Sequence, residues 1–296
     1  VDNTVRIVLY VSHLQREQKM SNDSLRVMWF VPPAIAVAAS WQMPADFRLE
    51  SSMTQSSDEQ YSSLCAVEVD AVVTSIDNVL HWNRRQGPQD FVVIAQIETT
   101  TPLQLVGSSA LSAPADLRGA NILVDAPENG FVIALRALLK EAGLRADDYR
   151  LTPVGGVRER FAALVAGEGD ATLLGPPFDT MAVQRGLKTI ATIQGVFTNF
   201  PGQGLVVRKS ASQANDALKA WVRILSATLT TMPGDTVKLT EALELLGMPV
   251  EAVKAMVNTF PETLMPSREG LELLIGQRAL LGLPGADFTY EQIVDG

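Results

Sequence analysis

The chain has 296 residues, enough for about two domains at the usual ~150 residues each, and is 47% hydrophobic, 19% charged and 6% aromatic. That balance excludes a disordered chain, a collagen-like repeat and a disulfide-stapled mini-protein, while a formal charge of −9 argues against nucleic acid and anionic membranes as partners. A single cysteine, Cys65, and only two histidines, His13 and His81, exclude an intrachain disulfide and a Cys- or His-built metal centre, so no metal or cofactor is expected.

Residues 1–19 lack the basic start, sustained apolar core and cleavage site of a signal peptide, and Met20, before a polar run, reads as a translation start. Residues 1–24 are therefore expected to lie outside the core fold. From there β-rich runs alternate with amphipathic helical runs, the pattern of parallel strands joined by crossover helices. Strands are predicted at 25–30, 48–53, 71–74, 91–96, 103–106, 120–125, 150–154, 171–174, 189–193 and 204–207. Helices are predicted at 34–41, 57–66, from the 75–78 turn to 82, and at 130–142, 158–166 and 178–185. After about residue 210 the chain reads as helical, with breakers at Pro233-Gly234, Gly247 to Pro249, Pro261 and Pro266. The apolar stretch 27–39 holds Pro32 and Pro33 and falls short of the ~20 residues that span a bilayer.

An internal repeat sharpens the organisation. LCAVEVDA at 64–71 aligns with LVAGEGDA at 164–171, five identities 100 residues apart. Each copy closes a helix, turns through an acidic loop, enters a short strand and opens another helix, which predicts two α/β lobes of similar topology. Glu68, Asp70, Glu168 and Asp170 fall at the far ends of those strands and read as solvated turn residues.

In open parallel sheets, ligands lie beyond the carboxyl ends of the strands, where helix N-termini present unpaired amides. Four such junctions occur: Pro32-Pro33 after the first strand, Ser75 to Asn78 after the third, Asn129-Gly130-Phe131 after the strand at 120–125, and Gly175-Pro176-Pro177-Phe178 after the strand at 171–174. Their convergence would orient a small molecule without a fixed positive charge. Each also has a plainer reading. Ser75, Asp77 and Asn129 are favoured helix N-caps, Pro176-Pro177 is a rigid turn, and Phe131 and Phe178 serve equally as core.

The runs DLRG (116–119), ILVDAPENGF (122–131), LLKEAGL (138–144), PVGG (153–156), LVAGEGDA (164–171) and PPFD (176–179), with TSIDN at 74–78, resemble the solute-binding proteins of nitrate, sulfonate and taurine ABC importers. The wider group also takes in binding proteins for thiamine-pyrimidine precursors. The resemblance implies a two-lobed type II periplasmic-binding-protein fold, α/β, with mainly parallel sheets, helices on both faces and a cleft between the lobes. Lobe one would comprise residues 25–100 and 204–296, lobe two 101–203, with crossovers near 99–103 and 199–204. It further implies a monomer that closes on a small-molecule ligand, an ABC permease as partner, and a periplasmic or cell-envelope location, against which a Met20 start without an export signal implies the cytoplasm. Some members of this fold group are enzymes, so a decarboxylase, desulfinase or related lyase or hydrolase is the alternative. For that chemistry Asp77 and His81, four residues apart on one helix, would form a carboxylate–imidazole pair, with Asp125 and Asp179 as further acids. Cys65 reads as a small core residue rather than a nucleophile.

Overall fold

The computed structural model describes residues 24–128 and 130–295; the expected N-terminal extension, including Met20 but for its last residue Ser24, lies outside them, as does Asn129. The first stretch runs β1 (Ser24–Trp29), α1 (Ala34–Ala39), β2 (Arg48–Met53), α2 (Ser57–Cys65), β3 (Ala71–Ser75), α3 (Asp77–Trp82) and β4 (Phe91–Gln96). The second runs β5 (Gln104–Gly107), β6 (Asn121–Val124), α4 (Val132–Glu141), β7 (Arg150–Pro153), α5 (Val157–Val165), β8 (Ala171–Leu174), α6 (Phe178–Gln184), β9 (Lys188–Thr192) and α7 (Ile193–Val196). The chain then returns through β10 (Gln203–Arg208) into a helical tail of α8 (Lys209–Ser212), α9 (Asp216–Leu245), α10 (Val250–Asn258), α11 (Arg268–Leu281) and α12 (Tyr290–Ile293).

The strands form two five-stranded sheets, ordered β2-β1-β3-β10-β4 and β7-β6-β8-β5-β9. In each, the fourth strand runs antiparallel to both neighbours while the remaining pairs are parallel. The antiparallel strand is the last strand of the chain in one sheet and the first strand of its stretch in the other. The backbone must therefore pass between the sheets twice, once after β4 and once before β10. Central β3 and β8 are buried along their whole length, as expected of strands covered on both faces. Edge strand β2 is exposed, which is why its sequence is polar and charged.

The repeat occupies the same place in both sheets, joining α2 to β3 and α5 to β8. Its acidic turns are more than solvated loops. The Glu68 amide donates to the Ser63 carbonyl and the Glu168 amide to the Ala163 carbonyl, each closing its helix through a left-handed residue, Val67 (φ 58°) or Gly167 (φ 75°). Asp70 Oδ2 accepts from the Arg26 amide at 2.8 Å, and Asp170 Oδ2 from the Asn121 amide at 2.6 Å. Both aspartates thus fasten the start of the neighbouring strand, and Asp70 adds an ion pair with Arg26.

One sequence expectation fails in the tail: α9 runs unbroken through Pro233 and Gly234. An interior proline costs a helix about 3 kcal/mol. Here Met232, Leu239 and Leu243 bury against Ala34 and Ala38 of α1 on either side of it, so tertiary packing overrides the local preference.

Candidate functional site

All four predicted junctions lie at carboxyl ends of parallel strands. The helices they open, α1, α3, α4 and α6, carry no side-chain cap; their cap positions are Pro33, Ile76, Phe131 and Pro177. Ser75 and Asp77 are thus not N-caps. Helices α2, α9 and α11 are capped by Ser56, Asn215 and Ser267. At the junction helices, by contrast, the cap residue itself offers no side-chain acceptor to the first turn.

The sheets meet across these junctions through a buried ion pair. Asp77, in the first turn of α3, receives Arg278 Nε on Oδ1 at 2.7 Å and Nη2 on Oδ2 at 2.6 Å, and both side chains are fully buried. Asp77 Oδ2 also accepts the Gly130 amide at 2.9 Å, and Arg278 Nη2 reaches the Glu128 carbonyl at 3.3 Å. One carboxylate on the first sheet and one guanidinium on the tail therefore hold the β6–α4 loop of the second. Burial pushes the Asp77 carboxyl up, and Arg278 and the Gly130 amide pull it back. Gly130 has φ +68°, and a Cβ there would stand 3.3 Å from Asn78 Oδ1, so glycine lets the loop close on α3 without strain or a shift of Asn78. Asn78 is itself oriented by donating Nδ2 to Thr74 Oγ1 at 2.7 Å. Two further contacts join the lobes. The Lys140 ammonium of α4 donates to the Leu280 carbonyl of α11, and a Cβ at Gly156, after β7, would lie 3.3 Å from the Gln55 carbonyl after β2.

Of the predicted residues, the structure brings together Asp77, Asn78 and Gly130, with Phe131 beside them packed at a tilt against Phe200, ring centroids 6.1 Å apart. Asn129 lies outside the described residues. Pro32 and Pro33 are half-buried at the end of β1. Gly175 packs against the crossover, where a Cβ would approach the Pro102 carbonyl to 2.9 Å, and Phe178 packs on Phe161 at 5.3 Å. The expected Asp77–His81 pair is not the one formed, because Arg278 and Gly130 engage both Asp77 oxygens. Asp179 is likewise committed: it accepts from Gln104 Nε2 at 2.6 Å and from the Thr180 amide. Among the described residues no cluster of three or more His, Cys, Asp or Glu is placed to hold a metal ion, and no helix is long and apolar enough to cross a membrane.

The model of the NMT1-like family matches residues 28–236. The chain belongs to the NMT1-like family. No curated protein matches it, but solved structures share its fold. The NMT1-like chain is 13% identical to the ligand-binding component of an ABC-type import system from Staphylococcus aureus with zinc bound, with a TM-score of 0.76 over 92% of this chain and 96% of that one. It is 17% identical to the alkanesulfonate-binding protein SsuA of Xanthomonas axonopodis pv. citri bound to MOPS (TM-score 0.71; 88% and 92% covered). The periplasmic nitrate-binding protein NrtA of Synechocystis PCC 6803 is 12% identical (TM-score 0.69; 91% and 84% covered). At these identities the likeness is one of fold.

Three residues of this NMT1-like chain escaped the sequence reading. Arg278 sits 201 residues from Asp77, beyond any local spacing. Glu98 accepts from Thr101 on the outgoing crossover and from the Gln203 amide at 3.2 Å on the returning one, so a single carboxylate ties both. Arg160 is the third; extending the repeat four residues towards the N-terminus sets it against Gln60, a charge in place of an amide on an otherwise apolar helix face.

His81 is half-buried, and its pKa is pushed down to about 4, first by burial and then by the Arg278 and Arg85 charges, against Glu128 and Asp58. An unfolded histidine titrates near 6.5. Between about pH 6.5 and 4 the unfolded chain therefore holds a proton that the folded one does not, and stability falls as pH drops through that window. His81→Gln is expected to shrink the loss of Tm between pH 7 and 5; a loss equal to wild type's would clear His81 of that role.

Proposed function

We propose that this chain is the solute-binding component of an ABC-type importer, capturing a small organic molecule between two lobes and handing it to a permease. The observation that carries this reading is the pairing of two sheets of identical strand order whose ligand-side junctions meet at Asp77, Asn78 and Gly130. A cleft between two lobes at such junctions would be the ordinary form of a small-molecule site, and motion about two crossovers the ordinary form of its closure. The proteins of similar fold described above, an importer's ligand-binding component and binders of alkanesulfonate and nitrate, support it.

In this reading lobe one is formed by residues 25–100 with 204–296 and lobe two by 101–203. Pro32, Pro33, Ser75 and Asn78 present the ligand surface of the first, and Asn129, Phe131, Gly175, Pro176, Pro177 and Phe178 that of the second. Asp77 and Gly130 fasten the two together. The ligand is a sulfonate, a nitrate-like anion, or a pyrimidine or aromatic compound. The protein works as a monomer, without cofactor or chemical turnover, outside the cytoplasmic membrane as SsuA of Escherichia coli and NrtA are described to be.

A thermal-shift screen with sulfonates, nitrate, pyrimidines and aromatic carboxylates tests it. A true ligand at 100 times its Kd adds about 2.7 kcal/mol of apparent stability and should be recovered chemically unchanged after long incubation. A hit converted to product would replace binding with catalysis.

A further inference from the structure

We propose that Arg160 is the anion-reading residue of the cleft, so that the solute carries a carboxylate, sulfonate or similar oxyanion that docks on the guanidinium's Nε–Nη2 edge. This deepens, and rests on, the solute-binding reading.

Arg160 stands in the first turn of α5 and is only 9% exposed. Because α5 follows β7, its first turn lies at the ligand side of the second sheet. There Arg160 Nη1 donates to the Leu173 carbonyl at 2.7 Å and to Thr172 Oγ1 at 3.4 Å. Those are its hydrogen bonds among the described residues; Nε is buried without a partner. Burial works against its charge, and Asp125 and Glu159 offset this only in part from a distance, without forming an ion pair among the described residues. A buried cation lacking a carboxylate is costly, and one kept at the carboxyl end of the sheet's strands calls for a reason.

The repeat supplies an internal comparison. Gln60, at the matching position of α2, donates Nε2 to the Val73 carbonyl at 2.9 Å, the counterpart of the Arg160–Leu173 bond. Both residues leave a polar atom unpartnered, Oε1 in Gln60 and Nε in Arg160. A neutral amide therefore suffices to tie this helix to this strand, and the charge in the second lobe is surplus to that task. The edge left open is informative too. Arg278 grips Asp77, and Arg26 grips Asp70, through Nε and Nη2. Arg160 spends Nη1 on the fold and keeps that bidentate edge, which fits planar oxyanions. In a protein of net charge −9, whose overall field repels anions, such a fixed local cation is what an anionic solute requires.

The test titrates wild type and Arg160→Gln, which installs the residue of the first lobe, with methanesulfonate, nitrate, acetate and benzoate, using methanesulfonamide and benzamide as uncharged controls. Thermal shift and calorimetry are the readouts. At least one anion is expected to raise the wild-type Tm while its uncharged control does not, and R160Q should weaken that binding about tenfold or more, the scale of a charge-assisted bond, with the ligand-free Tm retained. Binding of the anion by R160Q within about twofold of wild type overturns the assignment. So does a wild type that responds to no anion; if it then binds an uncharged compound, the solute-binding reading still stands. Conversely, an anion that binds through Arg160 and is chemically converted overturns the binding-protein reading and leaves the assignment in place. Should R160Q fail to fold, Arg160→Lys keeps the charge and removes the bidentate edge: a loss for carboxylates and sulfonates supports the proposal, and undiminished binding refutes it.

Discussion

Arg278→Met is expected to lower the unfolding free energy by about 3–5 kcal/mol, the cost of leaving one member of a buried ion pair uncompensated. The large size follows from geometry: Asp77 is fully buried, and Arg278 supplies two of its short hydrogen bonds. Adding Asp77→Asn should recover part of the loss, because the stranded charge is then gone, and the departure from additivity measures the coupling. Asp77 also holds the Gly130 amide, so the same change should loosen the junction between the lobes and weaken ligand binding in step. Chemical denaturation of the two single variants and the double variant decides the matter. A loss below about 1 kcal/mol for Arg278→Met would mean that Asp77 is adequately solvated without it.

The second large effect is expected at Gly202. A Cβ there would stand 2.2 Å from the Glu98 carbonyl oxygen and 2.8 Å from its carbon, and the Gly202 amide donates to the Thr99 carbonyl at 3.3 Å. Outgoing and returning crossovers thus touch backbone to backbone, with the Glu98 Cγ packed in beside them, and shifting that side chain alone would not relieve the clash with the carbonyl. Gly202→Ala should cost about 1–3 kcal/mol, as overpacking does, and force the two crossovers apart where Glu98 ties them. Small-angle scattering should therefore report a changed lobe arrangement as well as a lowered Tm. A variant with unchanged Tm and scattering would show that the crossovers separate freely.

Much of the fold was legible because its signals are local. Alternating apolar runs, helix periodicity and breakers such as Gly143 and Gly155-Gly156 place the elements, and the repeat around 64–71 and 164–171 marks equivalent positions in the two sheets. Helix α9 was misread at Pro233 because a local breaker was set against packing with α1, which lies about 200 residues earlier. The site was half legible for the same reason. Junction residues such as Asp77, Asn78 and Gly130 follow from strand–helix order, but their partners do not. Asp77 has His81 one turn away in sequence and Arg278 in space, and no spacing rule selects between them. Arg160 was hidden differently: a single arginine on a helix reads as surface until the strand it reaches and the residue at the equivalent point of the other lobe are known.

The apolar interior has a consequence for how a solute gets in. One hydrophobic cluster contains Val72, Val79 and Trp82 beside the first sheet, Leu105, Ile122 and Leu135 beside the second, and Leu271 and Leu274 of α11. Parting the lobes at the Asp77–Gly130 junction would draw on that shared interior and expose apolar area, at about 25 cal/mol for each Å² uncovered. In the proposed binding protein this shared interior therefore opposes any motion that separates the two sheets at that junction.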